Sequence, residues 1–210
     1  MPSMMETIPR SGFTKWTDAE LHLAACDERL ATIIARVGPC TLSPRRDYFA
    51  ALCQSVMGQQ ISTVAAAAIY GRFVQLFPRA KPDPRVMLGL DVDVVRAAGV
   101  GHQKITFLRD IASGFVDGRV QPKDFAGLND ETLIAHLVQL KGVGRWTAEM
   151  FLMFAMNRPD VLPVDDLGFR AAALRVYGLR KLPSPDRLGA LAKKWRPYRT
   201  IATWYLWRSK

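Results

Sequence analysis

Gly142-Val143-Gly144 is the feature that most restricts how this chain folds, because two glycines around one apolar residue interrupt a stretch whose apolar spacing is otherwise helical. Upstream, Leu133, Ile134, Leu137 and Val138 fall on one face of a predicted helix over 130–139, with Asn129 or Asp130 as its N-cap. Downstream, a second helix is predicted over 145–156. The glycines between suit a turn that needs positive φ and leaves backbone amides uncovered. The amides that open the second helix, at the positive end of its dipole, form a site where an anion such as a phosphate oxygen finds several donors. A plain connector between two packed helices also uses glycine, so the hairpin takes its meaning from its neighbours.

Those neighbours are informative. After Asn157-Arg158-Pro159-Asp160 comes an extended apolar run, Val161 to Val164, then Asp165-Asp166 and a predicted helix over 167–177. Capping accounts for one aspartate at a helix start. Two in succession leave the other to face a cleft.

LKGVGRWTA, then PVDD, resembles the helix-hairpin-helix, Gly/Pro-rich and aspartate signature of the HhH-GPD superfamily of base-excision DNA glycosylases. The tryptophan of GVGRWTA, the DDLGFR ending and the later WRPYRTIATWYLWR are similar to the 3-methyladenine DNA glycosylase II branch, with family features from Tyr48 to Trp207. The resemblance implies a monofunctional glycosylase of base-excision repair. Such an enzyme extrudes an alkylated purine such as 3-methyladenine from double-stranded DNA and hydrolyses its N-glycosidic bond through an oxocarbenium-like state that a carboxylate stabilises.

The motif match assigns the site. Asp166 aligns with the essential aspartate, because Phe169 matches the buried position that follows it; Asp165 then caps the helix, and a shift of one residue would exchange the two roles. Trp146 stands where strand-cutting relatives carry a Schiff-base lysine, so an intact abasic site is the expected product. Its indole face suits a cationic alkylated base, and Trp207 matches a second wall of the base pocket. In the turn Gly58-Gln59-Gln60-Ile61-Ser62, Gln60 matches the residue that fills the vacated space, with Gln59 and Ile61 adjacent. Lys104 matches a Gly-x-x-Lys turn that reaches a phosphate, with a solvated helix-start lysine as the alternative, and Gly142, Gly144, Arg145 and Thr147 are the expected hairpin contacts to the strand. The backbone carbonyls of Val138, Leu140 and Val143 are implied to hold a structural Na⁺ or K⁺.

Composition narrows the classes around that reading. Lys and Arg number 29 against 19 Asp and Glu, a net charge of +10 that favours a polyanionic partner. No apolar signal core opens the sequence at MPSMMETIPR and no long apolar run follows, so an intracellular, DNA-associated monomer with no membrane partner is expected. Cys26, Cys40 and Cys53 suit reduced thiols, and with no cysteine after Cys53 the C-terminal iron–sulfur loop of some relatives is not expected. His22, His102 and His136 form no ligand spacing, so no catalytic metal is implied.

Elsewhere the spacing predicts one helix from a Thr17/Glu20 capping box to Gly38-Pro39, and a second with Ser43-Pro44 as N-cap and N1 that breaks near Gly58. Ser62 caps a third, which carries the alanine run Ala65 to Ala68. Further helices are predicted over 86–98 and 103–115, then one or two in the tail, with Trp195 and Trp204 in the core. Strand alternation does not persist beyond a few residues. The expected fold is all-α: a two-lobed helical bundle with a cleft between lobes, lobe A about 1–55 plus 160–210 and lobe B about 56–159, the latter containing the helix-hairpin-helix at 130–156. The rival readings are a non-enzymatic helix-hairpin-helix DNA-binding protein and a glycosylase for deaminated or mismatched bases.

Overall fold

The computed structural model describes residues 15–209, so the N-terminal signal-core reading lies outside the described residues. Among them every regular element is helical, as the apolar spacing predicts. The chain divides into two compact units, Ser43–Arg158 and the pair of segments Met1–Leu42 and Pro159–Lys210. The first crossing therefore falls at 42/43 rather than 55/56. A break at 55 would cut α3 (Tyr48–Gly58), whose buried Phe49, Leu52, Cys53, Val56 and Met57 make it the centre of its unit.

Within Ser43–Arg158, α3 packs against α4 (Thr63–Val74), α7 (His102–Val116) and α9 (Arg145–Phe154). Two short helices, α5 (Pro84–Gly89) and α6 (Val92–Ala97), lie on α7, and α8 (Asp130–Leu137) lies on α9. Tyr48, Phe125 and Phe151 form a ring cluster with centroids 5.4–5.9 Å apart, each large side chain contributing about 1.5–3 kcal/mol by leaving water.

Two expectations need correction here. Helix α3 starts at Tyr48 with Asp47 as its cap, its Oδ1 accepting from Ala50 N, so Ser43-Pro44 does not open it. The predicted helix over 86–98 is two helices, because Asp91 adopts an extended conformation and takes the N–H of Asp93 at 2.7 Å, starting a new helix after Leu90. In α4 only Phe73 is fully buried, and Ala66 lies 3.9 Å from where a Cβ on Gly58 would sit, so the alanine run meets the end of α3 at Ala66 while Ala67 and Ala68 are exposed.

The other unit holds α1 (Thr17–Cys26), α2 (Glu28–Val37), α10 (Leu167–Val176), α11 (Pro185–Leu191) and α12 (Arg199–Trp207). Helix α12 is buried from Thr200 to Leu206 and packs on α2 and α10. Trp195 and Trp204 are core residues, as expected. The single helix predicted from Thr17 to Gly38 breaks at Asp27, whose Oδ1 accepts from Arg29 N and Leu30 N and starts α2. Its Oδ2 takes Tyr177 Oη–H at 2.7 Å and Trp195 Nε1–H at 3.0 Å, so a buried carboxylate ties the break to two aromatic rings. The Thr17/Glu20 capping box does not form as read. Trp16 takes the N-cap position, and Glu20 Oε1 accepts instead from Cys40 N and Tyr205 Oη.

Candidate functional site

Helix α8 opens on Asn129, whose Oδ1 accepts from Thr132 N at 2.9 Å, and the chain turns at Leu140 to Val143. Gly142 is there for two reasons. Its φ is +80°, and a Cβ would be driven into the Phe107 ring of α7. Gly144 plays a different part: it is the N-cap of α9 and exposed, a Cβ there would meet nothing within 4 Å, and it brings no side-chain acceptor to the first-turn amides. An outside anion can therefore approach those amides without meeting a side chain at 144.

The flanking side chains are hydrogen-bonded within the fold. Arg145 is an exposed but paired cation: its guanidinium makes a bidentate pair with Glu131 at 2.9 and 2.6 Å and donates through Nε to buried Glu149 at 3.0 Å. These carboxylates hold Arg145 protonated above its ordinary range, with the Glu131 hydrogen bond first among the causes. Thr147 is buried, and its Oγ1 accepts from Gln59 Nε2 at 3.1 Å. Both residues brace the hairpin, Arg145 through Glu131 of α8 and Thr147 through Gln59.

The turn after α3 is likewise part clamp and part tip. Gln59 points inward, the N–H groups of Nε2 reaching Gly142 O at 2.9 Å as well as Thr147. Lys104, in the first turn of α7, donates to Met57 O at 2.6 Å and Gln59 O at 2.9 Å, so its ammonium serves this turn instead of standing out as a phosphate hook. Gln60 and Ile61 are exposed, and Gln60 holds φ +60°, a left-handed conformation uncommon outside glycine. Beside this turn lies a cavity of about 320 Å³, lined by Arg45, Gln54, Ser55, Trp146, Met150 and Phe154 among others. Trp146 is 43% exposed, and Arg45 Nη1 donates to Gln54 Oε1 at 2.5 Å. Sequence reading missed this lining because Arg45, Gln54 and Ser55 precede the hairpin by about a hundred residues and belong to no motif.

In the other unit, Asp166, not Asp165, is the N-cap of α10. Its Oδ1 accepts from Phe169 N at 2.5 Å and from Trp207 Nε1 at 3.0 Å, while Asp165 is exposed. The expected capping role of Asp165 is thus overturned: Asp166 has the extended N-cap dihedrals, φ −67° and ψ 116°, that aim its carboxylate back at the helix. Phe169 is fully buried and anchors the first turn. Gly168 lets the pair close, since a Cβ there would lie 3.2 Å from Asp166 Oδ1 and 3.4 Å from Trp207 Nε1. Trp207, expected as a pocket wall, directs its indole N–H to this carboxylate. The result is a half-buried carboxylate with one oxygen fixed by two donors, suited to a developing positive charge.

Residues 53–197 match the family model described as HhH-GPD superfamily base excision DNA repair protein. DNA-3-methyladenine glycosylase 1 of Schizosaccharomyces pombe is 35% identical over 93% of this chain and 88% of its own length. Two solved structures share the fold. One is the S. pombe 3-methyladenine DNA glycosylase in complex with abasic DNA, with a TM-score of 0.83 and 36% identity over 91% of this chain and 96% of that one. The other is a DNA-3-methyladenine glycosidase from Bacillus halodurans, with a TM-score of 0.83 and 35% identity over 94% and 91%.

Proposed function

Given that this chain belongs to the HhH-GPD superfamily of base excision DNA repair proteins, we propose that it is a DNA-3-methyladenine glycosylase of the monofunctional kind. The observation that carries this reading is the Asp166 carboxylate, held at the start of α10 by Phe169 N and Trp207 Nε1 in a chain so similar to proteins named for that activity. The substrate is double-stranded DNA carrying an alkylated purine such as 3-methyladenine. Gln60 enters the stack as the damaged nucleotide swings out, offsetting part of the few kcal/mol lost in unpairing.

As the bond from C1′ to the base lengthens, positive charge grows on the sugar and Asp166 stabilises it; a water molecule then adds to C1′, and the same carboxylate takes its proton. Asp166 remains fixed throughout because its donors are a backbone amide and an indole that are in place before substrate arrives. Trp146 offers a π-face to an electron-poor base, and N-alkylation has already weakened the glycosidic bond. With an indole at 146 no amine is supplied there for a Schiff base, so the abasic strand stays whole. Trp207 serves the reaction as a positioning residue for Asp166.

The hairpin holds the backbone of the strand through the bare amides at Gly144 and the first turn of α9. The carbonyls of Val138, Leu140 and Val143 fit a Na⁺ or K⁺ ion by donor chemistry: all are hard oxygens, and among the described residues those of Val138 and Val143 take no backbone N–H from a turn or cap. Such an ion would add a positive charge beside the phosphate. No described helix is long and apolar enough to cross a membrane, and we assign the protein to an intracellular, DNA-associated setting as a monomer.

The test is incubation with duplex DNA containing 3-methyladenine, identifying the released base by chromatography and examining the strand before and after alkali. Free 3-methyladenine with a strand that breaks only in alkali is the expected result. Tight binding with no base released would make this a DNA-binding protein and end the proposal; strand scission with borohydride trapping would overturn the monofunctional part.

A further inference from the structure

We propose that Gln59 and Lys104 are positioning residues that lock the Gln60 turn to the glycine hairpin, so that gripping the strand and displacing a base are one mechanical event. This rests on the glycosylase reading above and specifies how its wedge is held.

The hydrogen bonds define the linkage. Gln59 Nε2 reaches Gly142 O at 2.9 Å and Thr147 Oγ1 at 3.1 Å, joining the end of α3 to the hairpin turn and to the first turn of α9. Lys104 Nζ takes Met57 O at 2.6 Å and Gln59 O at 2.9 Å. Gln59 is therefore held at its side chain and at its carbonyl. Three residues later Ser62 Oγ caps α4 by accepting from Ala65 N at 3.2 Å, so Gln60 and Ile61 are suspended between two fixed points.

Two features show that this clamp is not incidental. A lysine in the first turn of α7 lies at the positive end of that helix's dipole, where cations are disfavoured; the carbonyls ending α3, at a negative end, offset this. Burial also lowers the Lys104 pKa, as expected of an ammonium drawn inward. Gln60 in turn keeps φ at +60° although glycine would adopt it without strain. A strained residue persists only when its surroundings over-determine it, and this one is left with an exposed side chain next to the clamp.

A rigid wedge matters only when there is a base pair to break. Single-turnover release of an alkylated purine is therefore compared on two duplexes, one with the lesion paired and one with it unpaired in a single-nucleotide bulge. Gln59→Glu, which keeps the shape but faces Gly142 O with an acceptor, and Lys104→Met should each slow release from the paired site by about tenfold or more, and from the bulge by less than about threefold. Lys104→Arg, which retains donors for both carbonyls, should recover much of the paired-site rate. Retained activity on the bulge reports that the variants fold. Equal losses on both duplexes, or no loss on either, would overturn the inference while leaving the glycosylase reading intact; a wild-type chain that releases no base from either duplex would overturn that reading and this inference with it.

Discussion

Replacing Asp166 by Asn separates the two jobs its carboxylate performs. Asn keeps a carbonyl oxygen where Oδ1 accepts from Phe169 N and Trp207 Nε1, and Asn caps helices about as well as Asp. What is lost structurally is a charge at a helix N-terminus, worth about 0.3–1 kcal/mol. At about 2–4 °C per kcal/mol for a chain of this size, Tm should fall by no more than about 4 °C. The chemical step loses the negative charge opposite the forming oxocarbenium, on the scale of about 10²–10³-fold in rate, or about 2.7–4 kcal/mol. Asp166→Ala should lose a similar amount of rate and about 1 kcal/mol more stability, because the cap goes too. Asp165→Asn, at an exposed residue, should change stability by less than about 0.5 kcal/mol and leave the rate within about twofold. Gly168→Ala is the most discriminating variant. Alanine favours an exposed helix position by up to about 1 kcal/mol, yet its Cβ presses on both Asp166 Oδ1 and Trp207 Nε1, so stability should hold or rise while the rate falls. Single-turnover base release, calorimetric Tm and DNA affinity measured on all four variants decide the matter. An Asp166→Asn protein that releases base within about threefold of wild type, or an Asp165→Asn protein equally impaired, would refute the assignment.

Two further outcomes are expected. Gly142→Ala combines a φ of +80° with a clash against Phe107, so strain of about 1–3 kcal/mol should lower Tm by between about 2 and 12 °C in a melting experiment; an unchanged Tm would mean that the hairpin backbone is not fixed by that ring. For Asp27, burial by itself raises the pKa, but hydrogen bonds from Tyr177, Trp195 and Lys194 outweigh it and hold the carboxyl below its ordinary value. A depressed carboxyl stabilises the fold above its unfolded pKa of about 3.9 and stops doing so as pH falls through the lower folded value. Asp27→Asn should therefore cost about 1–3 kcal/mol at pH 7 in urea unfolding and flatten the loss of stability below about pH 4; an acid limb of unchanged slope would place that loss elsewhere.

The hairpin, the helices flanking it and the Asn129 and Ser62 caps were legible in the sequence because they depend on residues within four positions of one another. Glycine spacing, i to i+4 apolar repeats and a capping side chain are local instructions, and they read the same before and after folding. The reading of 17–38 as one helix failed for a related reason: its periodicity is real, but Asp27 takes the amides of Arg29 and Leu30 because Tyr177 and Trp195 wait for its other oxygen. The site divided along the same line. Motif spacing brought Gln59, Gln60, Lys104, Arg145, Thr147 and the aspartate pair to attention, yet it could not say that Gln59, Lys104 and Thr147 turn inward, because the donors and acceptors that join them to their partners stand 45 to 88 positions apart. Tertiary packing decided that Gln59, Lys104, Arg145 and Thr147 brace the machinery while Gln60 is presented, and that Asp166 is the carboxylate held by Trp207. A hydrogen bond is short and directional, so which partner it finds depends on the final placement of helices to within a fraction of an ångström, and only the folded chain sets that.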